Sequence, residues 1–325
     1  MKVYINMNWD VSAVTQMDTY IAQLEKAGYE IDLDNCGHKH TEDELIENLQ
    51  GKDAFVGTTN PFTERVFEAC PQLKIIARTG VGVDTIDIPS ATRHGVLVTS
   101  TPGAGAEAVA EYTMSMMCAV ARRVVEADHG AKNGVWKRFV GGALFHKTLG
   151  IIGTGHIGRT VASISRGFEM KVIAYDEYRN EKWAAENNVT YCDSMEELLR
   201  QADFVTIHVP LMPSTVDLIG KKELEMMKPS AYIINCARGG IVNETALYEA
   251  LRDKVIAGAG LDVFVSEPVN ADNPLLTLEN CICSTHNAGS SLDGKNKLLE
   301  FTVRNLVEFA EGKKPYGLLN PEVMK

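Results

Sequence analysis

Long apolar runs are missing from this chain of 325 residues. None approaches the roughly 20 residues that a bilayer span requires, so no membrane partner is expected. An excess of positive charge is missing too. Lys and Arg number 32 against 43 Asp and Glu, a formal net charge of −11, and a nucleic-acid partner would need a basic face. Paired cysteines are absent in the sense that matters for a disulfide framework. The seven cysteines, Cys36, Cys70, Cys118, Cys192, Cys236, Cys281 and Cys283, are odd in number and scattered, which suits reduced thiols in a cytoplasm. Cys281-Ile282-Cys283 is the close pair. With no second pair and no His-x-x-x-His, it is expected to be two small residues of a buried strand, and no metal is expected. The opening Met1-Lys2-Val3-Tyr4-Ile5-Asn6 resembles a first strand more than a signal peptide.

What is present suits a soluble α/β protein: 45% hydrophobic and 23% charged residues, with length for two domains. Strand-like runs at Val3–Ile5, Tyr29–Leu33, Ala54–Val56, Leu73–Ala77 and Val96–Thr99 alternate with helical stretches. These include one near Ala13–Ala27, one capped by Thr41-Glu42-Asp43-Glu44 in a capping-box pattern, and a short one at Thr63–Cys70. Pro102-Gly103 breaks the series. Ala104 to about Asn133, rich in Ala and Met and free of Pro, predicts one long buried helix. From Leu149 strands recur at Ile151–Ile152, Val172–Ala174, Phe204–Ile207, Tyr232–Ile234, Ala259–Leu261 and Ile282–Cys283. That is the six-strand count of a dinucleotide-binding sheet. Leu292–Gly312 predicts a last helix, and the tail from Pro315 is expected to be irregular.

The stretch Leu149-Gly150-Ile151-Ile152-Gly153-Thr154-Gly155-His156-Ile157-Gly158 carries G-x-G-x-x-G between an apolar strand and a helical segment. Gly153 allows the sharp turn, Gly155 the approach of a pyrophosphate to the backbone, and Gly158 close packing of helix on strand. The free N–H groups of the helix start then face the phosphates. Asp176, closing the second strand of this half, suits hydrogen bonding to the adenosine ribose and would repel a 2′-phosphate, so NAD is expected over NADP. Such a loop marks the first strand of its domain, yet here it stands in mid-chain. The fold class expected is therefore α/β with two doubly wound parallel-sheet domains. A Rossmann NAD-binding domain (101–291) is inserted into a flavodoxin-like substrate domain (1–100 and 292–325), with a cleft between the lobes.

Ligands of such sheets bind beyond the carboxyl ends of the strands. Arg238, Glu267 and His286 each follow one of three consecutive strands there. Arg238 has the planar fork for a substrate carboxylate. His286 can give a proton to a carbonyl oxygen as hydride arrives. Glu267 can bond the far side of the imidazole and favour its charged form. Singly these would be a capping arginine, a surface glutamate and a structural histidine. Together they suit hydride chemistry on a 2-oxo acid. His94, His129 and His146 fall outside this rim, His208 is expected to be positional, and Met226-Met227 and the methionines near Met114 are expected in the core.

The chain resembles the D-isomer-specific 2-hydroxyacid dehydrogenases, the family of D-3-phosphoglycerate, glycerate and D-lactate dehydrogenases, over nearly its whole length. The matching residues are Ala77-Arg78-Thr79-Gly80-Val81-Gly82-Val83-Asp84-Thr85-Ile86-Asp87, Thr101-Pro102-Gly103, Lys147 to Gly153, Asn235 to Val242, and Gly260-Leu261-Asp262-Val263-Phe264 with Glu267-Pro268. The resemblance implies Arg238, Glu267 and His286 as the catalytic set. It also implies cofactor contacts from His156, Ile157, Asp176, Val209 with Pro210, Cys236, Ala237, Arg238, Asp262, and the turn His286, Ala288, Gly289. Arg78, Gly80 and Val81 match the substrate loop, and a homodimer using the helix after Pro102 is implied. The sequence departs from the phosphoglycerate enzymes at Gly57, where they carry a phosphate-binding arginine, and no serine-binding domain is expected. Asn287 after the histidine is also unusual, and is expected to close a turn. An unphosphorylated substrate is therefore expected. Phosphoglycerate and phosphite dehydrogenases, and an NADH-sensing corepressor-like protein, stand as alternatives. Formate enzymes are disfavoured because they usually place glutamine at the position of Glu267.

Overall fold

Short β-branched runs alternating with amphipathic segments give β1 (Lys2–Asn6), α1 (Met17–Lys26), β2 (Glu30–Asp34), α2 (Glu42–Leu49), β3 (Ala54–Gly57), α3 (Glu64–Ala69), β4 (Ile75–Arg78), α4 (Ile88–Arg93) and β5 (Leu97–Thr99). Then follow α5 (Ala106–Arg122), α6 (Val124–Lys132), β6 (Thr148–Ile152), α7 (His156–Ser165), β7 (Lys171–Tyr175), α8 (Glu181–Asn187), β8 (Val189–Tyr191), α9 (Met195–Gln201) and β9 (Phe204–Ile207). The chain ends with α10 (Lys221–Met226), β10 (Tyr232–Asn235), α11 (Glu244–Arg252), β11 (Gly258–Leu261), β12 (Cys281–Cys283) and α12 (Leu292–Ala310). These come from a computed structural model that describes residues 1–7, 14, 16–34 and 36–324. The start of the helix expected from Ala13 lies outside the described residues.

The chain divides into two compact units, Met1–Gly105 with Ser290–Lys325, and Ala106–Gly289. Among the described residues, the first unit holds a five-stranded parallel sheet ordered β2-β1-β3-β4-β5, the flavodoxin-like order. One face packs Ile5, Val56, Ile75 and Ala77 against Tyr20 and Leu24 of α1 and Leu299, Val303 and Leu306 of α12. The other face buries Phe55, Phe62, Phe67, Leu45 and Leu49. Such burial contributes roughly 1.5–3 kcal/mol per large apolar side chain. Thr41 and Glu44 form the expected capping box on α2, the Thr41 N–H donating to Glu44 Oε2 at 2.8 Å.

The second unit holds a seven-stranded parallel sheet ordered β12-β11-β10-β9-β6-β7-β8. This is the dinucleotide-binding order with one further strand at the far edge, and its switch point lies between β6 and β9. Helix α5 lies against α7 and buries Ala110, Met114, Met117 and Val120 among Leu149, Ile151 and Ile234. The methionines are core residues, as expected.

Four expectations are corrected. The six-strand count misses β8, a three-residue strand that pairs Val189–Tyr191 with Val172–Ala174. It is short and follows Asn188 in the left-handed conformation, so no apolar run announced it. The short helix α4 was also missed. Asp87 caps it by accepting from Ser90 N–H at 3.0 Å, and Pro89 stands in its first turn. The long helix Ala104–Asn133 is two helices, broken at Arg123 with φ +54°. The physical cause is the following loop. Gly142 N–H donates to the Ala121 carbonyl at 2.8 Å, taking the acceptor that a continuing helix would offer to Val125. Arg123 is then held by an ion pair with Glu126 and lies over the Phe139 ring at 5.4 Å. Finally, the tail is not irregular throughout: Pro321–Met324 form a 3-10 turn. Thr99 and Leu318 form an antiparallel bridge, and Asn320 Oδ1 accepts from Val98 N–H at 2.8 Å.

A Cβ added at Gly141 would collide with the Ala121 carbonyl oxygen. Gly141→Ala is therefore expected to push the loop off α5 and to destabilise the chain by ~1–3 kcal/mol. Urea unfolding monitored by circular dichroism measures this, and an unchanged midpoint would refute the account of the break.

Candidate active site

The glycine loop sits at the switch point of the second sheet. Gly153 has φ +93°, and a Cβ there would stand 2.8 Å from the backbone of His208 and 2.9 Å from Val209 Cγ1. A Cβ on Gly158 would run into the Gly153 carbonyl oxygen, so the third glycine sets how closely α7 approaches the strand. Gly155, the residue before α7, has open space where its Cβ would be. His156 and Gly155 are exposed, while Ile157 packs on the core. An open backbone at a helix start is the cradle a pyrophosphate requires, so the residues present fit a dinucleotide.

Asp176 lies just past β7, and its position is fixed. Its Oδ2 accepts from Thr154 N–H at 2.6 Å and from Thr154 Oγ1 at 2.9 Å, and its Oδ1 accepts from Tyr178 N–H at 2.8 Å. Tyr191 of β8 completes this corner, its hydroxyl 2.7 Å from Thr154 Oγ1. Thr154 and Tyr191 were not singled out from the sequence. Thr154 is the unspecified residue of G-x-G, and Tyr191 lies on the strand that was missed.

After β9, His208 and Val209 border the loop, as the Gly153 contacts show, and Pro210 follows them. His208 has both ring nitrogens buried without a hydrogen-bond partner. Burial pushes its pKa down to about 3, so it is neutral at physiological pH. After β10, Asn235 accepts from Ala237 N–H at 3.0 Å and donates from Nδ2 to the Arg238 carbonyl at 2.9 Å, which fixes the turn. Cys236 is buried, and that burial pushes its thiol up to about 12, so it is a packing residue and not a nucleophile. Arg238 Nη1 donates to the Ala237 carbonyl at 2.8 Å.

Glu267 and His286 meet directly, with Glu267 Oε2 2.6 Å from His286 Nδ1. The other oxygen, Oε1, accepts from Phe264 N–H at 3.1 Å. Burial raises the Glu267 pKa. The His286 hydrogen bond and charge, the Phe264 N–H and the Arg238 charge outweigh it, and the carboxyl ends below its ordinary value. The second unit thus brings Arg238, Glu267 and His286 into one electrostatic group. A lowered carboxyl stabilises the fold above the ordinary carboxylate range, and that contribution is lost as pH falls through the folded value.

Asp262 does more than the sequence indicated. It is fully buried. Oδ1 accepts from Ser284 Oγ at 2.6 Å and Asn287 N–H at 2.7 Å, and Oδ2 accepts from Ala288 N–H at 2.8 Å. Its own carbonyl accepts from His286 N–H at 2.8 Å. This holds His286 at φ +53°, a conformation that non-glycine residues rarely take. Asn287 enters the turn through its backbone N–H, a bond that does not draw on its side chain. Ala288 is buried and Gly289 half-buried beside it.

In the first unit, Arg78 is buried and folds onto its own loop. Its Nε donates to the Gly82 carbonyl at 3.0 Å, and its Nη1 donates to the Thr79 carbonyl. Gly80 has φ +145°, and a Cβ there would stand 2.6 Å from the Arg78 Nη1. Val81 is 53% exposed. Arg78 thus shapes the loop, and Val81 is the surface it presents. Of the histidines set aside, His94 bonds Glu64 at 2.9 Å. Cys281 and Cys283 lie on β12 with sulfurs 3.8 Å apart.

Comparison with known proteins decides the lineage. The model of the D-isomer specific 2-hydroxyacid dehydrogenase NAD binding domain matches residues 114–288. This chain belongs to the D-isomer specific 2-hydroxyacid dehydrogenases. It is 41% identical over 304 residues to a glyoxylate reductase of Korarchaeum cryptofilum, covering 91% of each chain. It is also 41% identical over 283 residues to a D-3-phosphoglycerate dehydrogenase of Methanocaldococcus jannaschii, covering 86% of this chain and 54% of that one. The D-lactate dehydrogenase of Aquifex aeolicus, solved with NAD and lactic acid, superposes with a TM-score of 0.80 at 28% identity over 96% of both chains. As a member of this family the chain is an NAD-dependent oxidoreductase of 2-hydroxy acids. No helix among the described residues is long and apolar enough to cross a membrane.

Asp262→Asn replaces an acceptor oxygen with a donor that faces an N–H or hydroxyl. The 2-hydroxyacid dehydrogenase is expected to lose ~1.5–3 kcal/mol of stability and most of its turnover, because the His286 turn is released. Denaturant unfolding and steady-state assays check this, and retention of both would show that the turn holds without the carboxylate.

Proposed function

We propose that the enzyme reduces a small, unphosphorylated 2-oxo acid to its D-2-hydroxy acid, with Arg238, Glu267 and His286 as the catalytic set. The observation that carries this reading is the 2.6 Å contact between Glu267 and His286 Nδ1 beside the Arg238 charge. Bound NADH supplies the hydride for the carbonyl carbon. The Glu267 contact occupies Nδ1, so the proton that reaches the carbonyl oxygen is the one His286 carries on Nε2. Arg238 holds the substrate carboxylate. Gly153, Gly155, His156, Ile157 and Gly158 cradle the pyrophosphate, and Asp176 takes the adenosine ribose. Val209, Pro210, Cys236, Ala237, Ala288 and Gly289 line the rest of the cofactor site, and Asp262 orients the turn. Gly80 and Val81 line the substrate loop that Arg78 shapes.

The absence of a substrate phosphate rests on β3. Gly57 is buried, and a Cβ there would meet the Phe55 ring and, at 2.7 Å, the Asn6 carbonyl oxygen, so no arginine fits. The similarity to glyoxylate reductases supports a substrate at the small end of the 2-oxo acids. We also place the enzyme in the cytoplasm as a homodimer. Val124, Val125, Val135, Trp136, Val140 and Phe145 are all at least 47% exposed, Trp136 at 96%, an apolar concentration of the kind that marks an interface.

His286→Ala is expected to lower turnover by ~10²–10⁴-fold while NADH still quenches protein fluorescence on binding. Full activity at neutral pH would sink the mechanism. Glu267→Gln removes the carboxylate that holds His286 Nδ1, so turnover in 2-oxo acid reduction is expected to fall while NADH still binds. Steady-state rates beside an NADH fluorescence titration show this, and unchanged turnover would count against the role of Glu267. Asp176→Ala is expected to weaken NADH by ~10–100-fold, the worth of a charged hydrogen bond, and to narrow the gap to NADPH. An NADH-oxidation panel of glyoxylate, pyruvate, hydroxypyruvate and phosphohydroxypyruvate tests the substrate class. A preference for the phosphorylated acid would overturn the argument from Gly57.

A further inference from the structure

A second group of reactive side chains stands at the carboxyl end of the first sheet. The segment after β2 carries Cys36, His38 and His40 at alternate positions. The Cys36 sulfur and one ring nitrogen from each histidine lie within 4.8 Å of one another. Ligand atoms about a tetrahedral zinc stand roughly 3.5 Å apart, given bonds near 2.0–2.3 Å. A contraction of about 1 Å would complete the set, and it falls to Cys36 and His38, whose side chains are exposed.

His40 differs from its neighbours. It is 6% exposed, and its Nδ1 has no hydrogen-bond partner, with Glu44 Oε2 standing 3.9 Å away. A buried polar atom left unsatisfied is costly and calls for an explanation. The other nitrogen, Nε2, lies 2.9 Å from Asp34 Oδ2 and 2.7 Å from the Tyr4 hydroxyl. A histidine whose ring is oriented by a carboxylate is the usual support for a metal ligand. That support is itself fixed. Asp34 Oδ2 accepts from Asn6 Nδ2 at 3.0 Å, and Asp34 Oδ1 accepts from Cys36 N–H at 2.8 Å. Asn60 donates to Asn6 Oδ1 at 2.7 Å and accepts from His40 N–H at 2.9 Å. Buried Asn6 and Asn60 thus tie the loop to the ends of β1 and β3.

We propose that Cys36, His38 and His40 bind a divalent transition metal of the zinc type, with Asp34 as the carboxylate that orients His40. One thiolate with two imidazoles selects such an ion over magnesium or calcium, which prefer oxygen donors. The site shares no residue with Arg238, Glu267 and His286, so the metal acts as a clamp on the loop between β2 and α2. The spacing Cys36-x-His38-x-His40 escaped the sequence reading because neither a cysteine pair nor His-x-x-x-His flags it.

Cobalt titration of the metal-stripped full-length chain is the test. One equivalent of Co2+ should produce a thiolate-to-metal charge-transfer band in the near ultraviolet and tetrahedral d–d bands. Zn2+ should displace it and raise the thermal midpoint of the chain. Cys36→Ser should abolish the charge-transfer band with turnover unchanged. His38→Ala and Asp34→Asn should each weaken Zn2+ by at least ~10–100-fold. Absence of a band at micromolar Co2+ would overturn the proposal. So would a band that survives Cys36→Ser and disappears in Cys283→Ser, since the metal would then sit at Cys281 and Cys283.

Discussion

A charge buried away from water must be surrounded by donors, and Asp262 finds its donors in one short loop. Ser284, Asn287 and Ala288 all give hydrogen bonds to its carboxylate, and His286 gives one to its carbonyl. The loop cannot drift without stranding the charge. That penalty is what makes the left-handed backbone at His286 tolerable. Glu267 then needs to fix only the ring, because the backbone is already held from β11. The geometry of the His286–Glu267 pair thus depends on a buried residue that bonds neither side chain.

The cofactor end obeys a different constraint, contact between backbones. Gly153 and Gly158 are glycines because main-chain atoms of the next strand or the preceding turn occupy the space a side chain would need. Gly155 is a glycine with nothing beside it. The same motif therefore contains two glycines required by the protein's own packing and one left open to a ligand. Asp176 is held by the Thr154 backbone and hydroxyl, so the glycine turn and the carboxylate past β7 move as one body.

The fold class and the grouping of Arg238, Glu267 and His286 were legible because both leave long-range signatures: strand runs of regular spacing, and polar residues after them. What escaped depended on local events without a pattern. β8 is three residues long and follows a left-handed Asn188, and with it went Tyr191. The break at Arg123 is imposed by Gly141 and Gly142, which lie beyond the helix and carry no helix-stop signal inside it. The donors around Asp262 also escaped, because a sequence shows that an acid follows a strand but not what donates to it. The hold of the Thr79 and Gly82 carbonyls on Arg78 was equally invisible, because a motif match does not show what a side chain bonds.

The tail that pairs with β5 has a consequence for how the chain is made. Thr99 bridges Leu318, Leu319 N–H donates to the Val98 carbonyl at 2.9 Å, and Asn320 takes the Val98 N–H. An edge strand left bare is a template for pairing with another chain, and this edge is sealed by residues some two hundred positions later. On the ribosome, the segment Ala106–Gly289 emerges as an uninterrupted unit with its whole sheet in hand. The five strands that precede it must wait for α12 and the tail. The earlier-born half is therefore the later-finished half, and through that interval its open β5 edge is the surface a chaperone would have to guard.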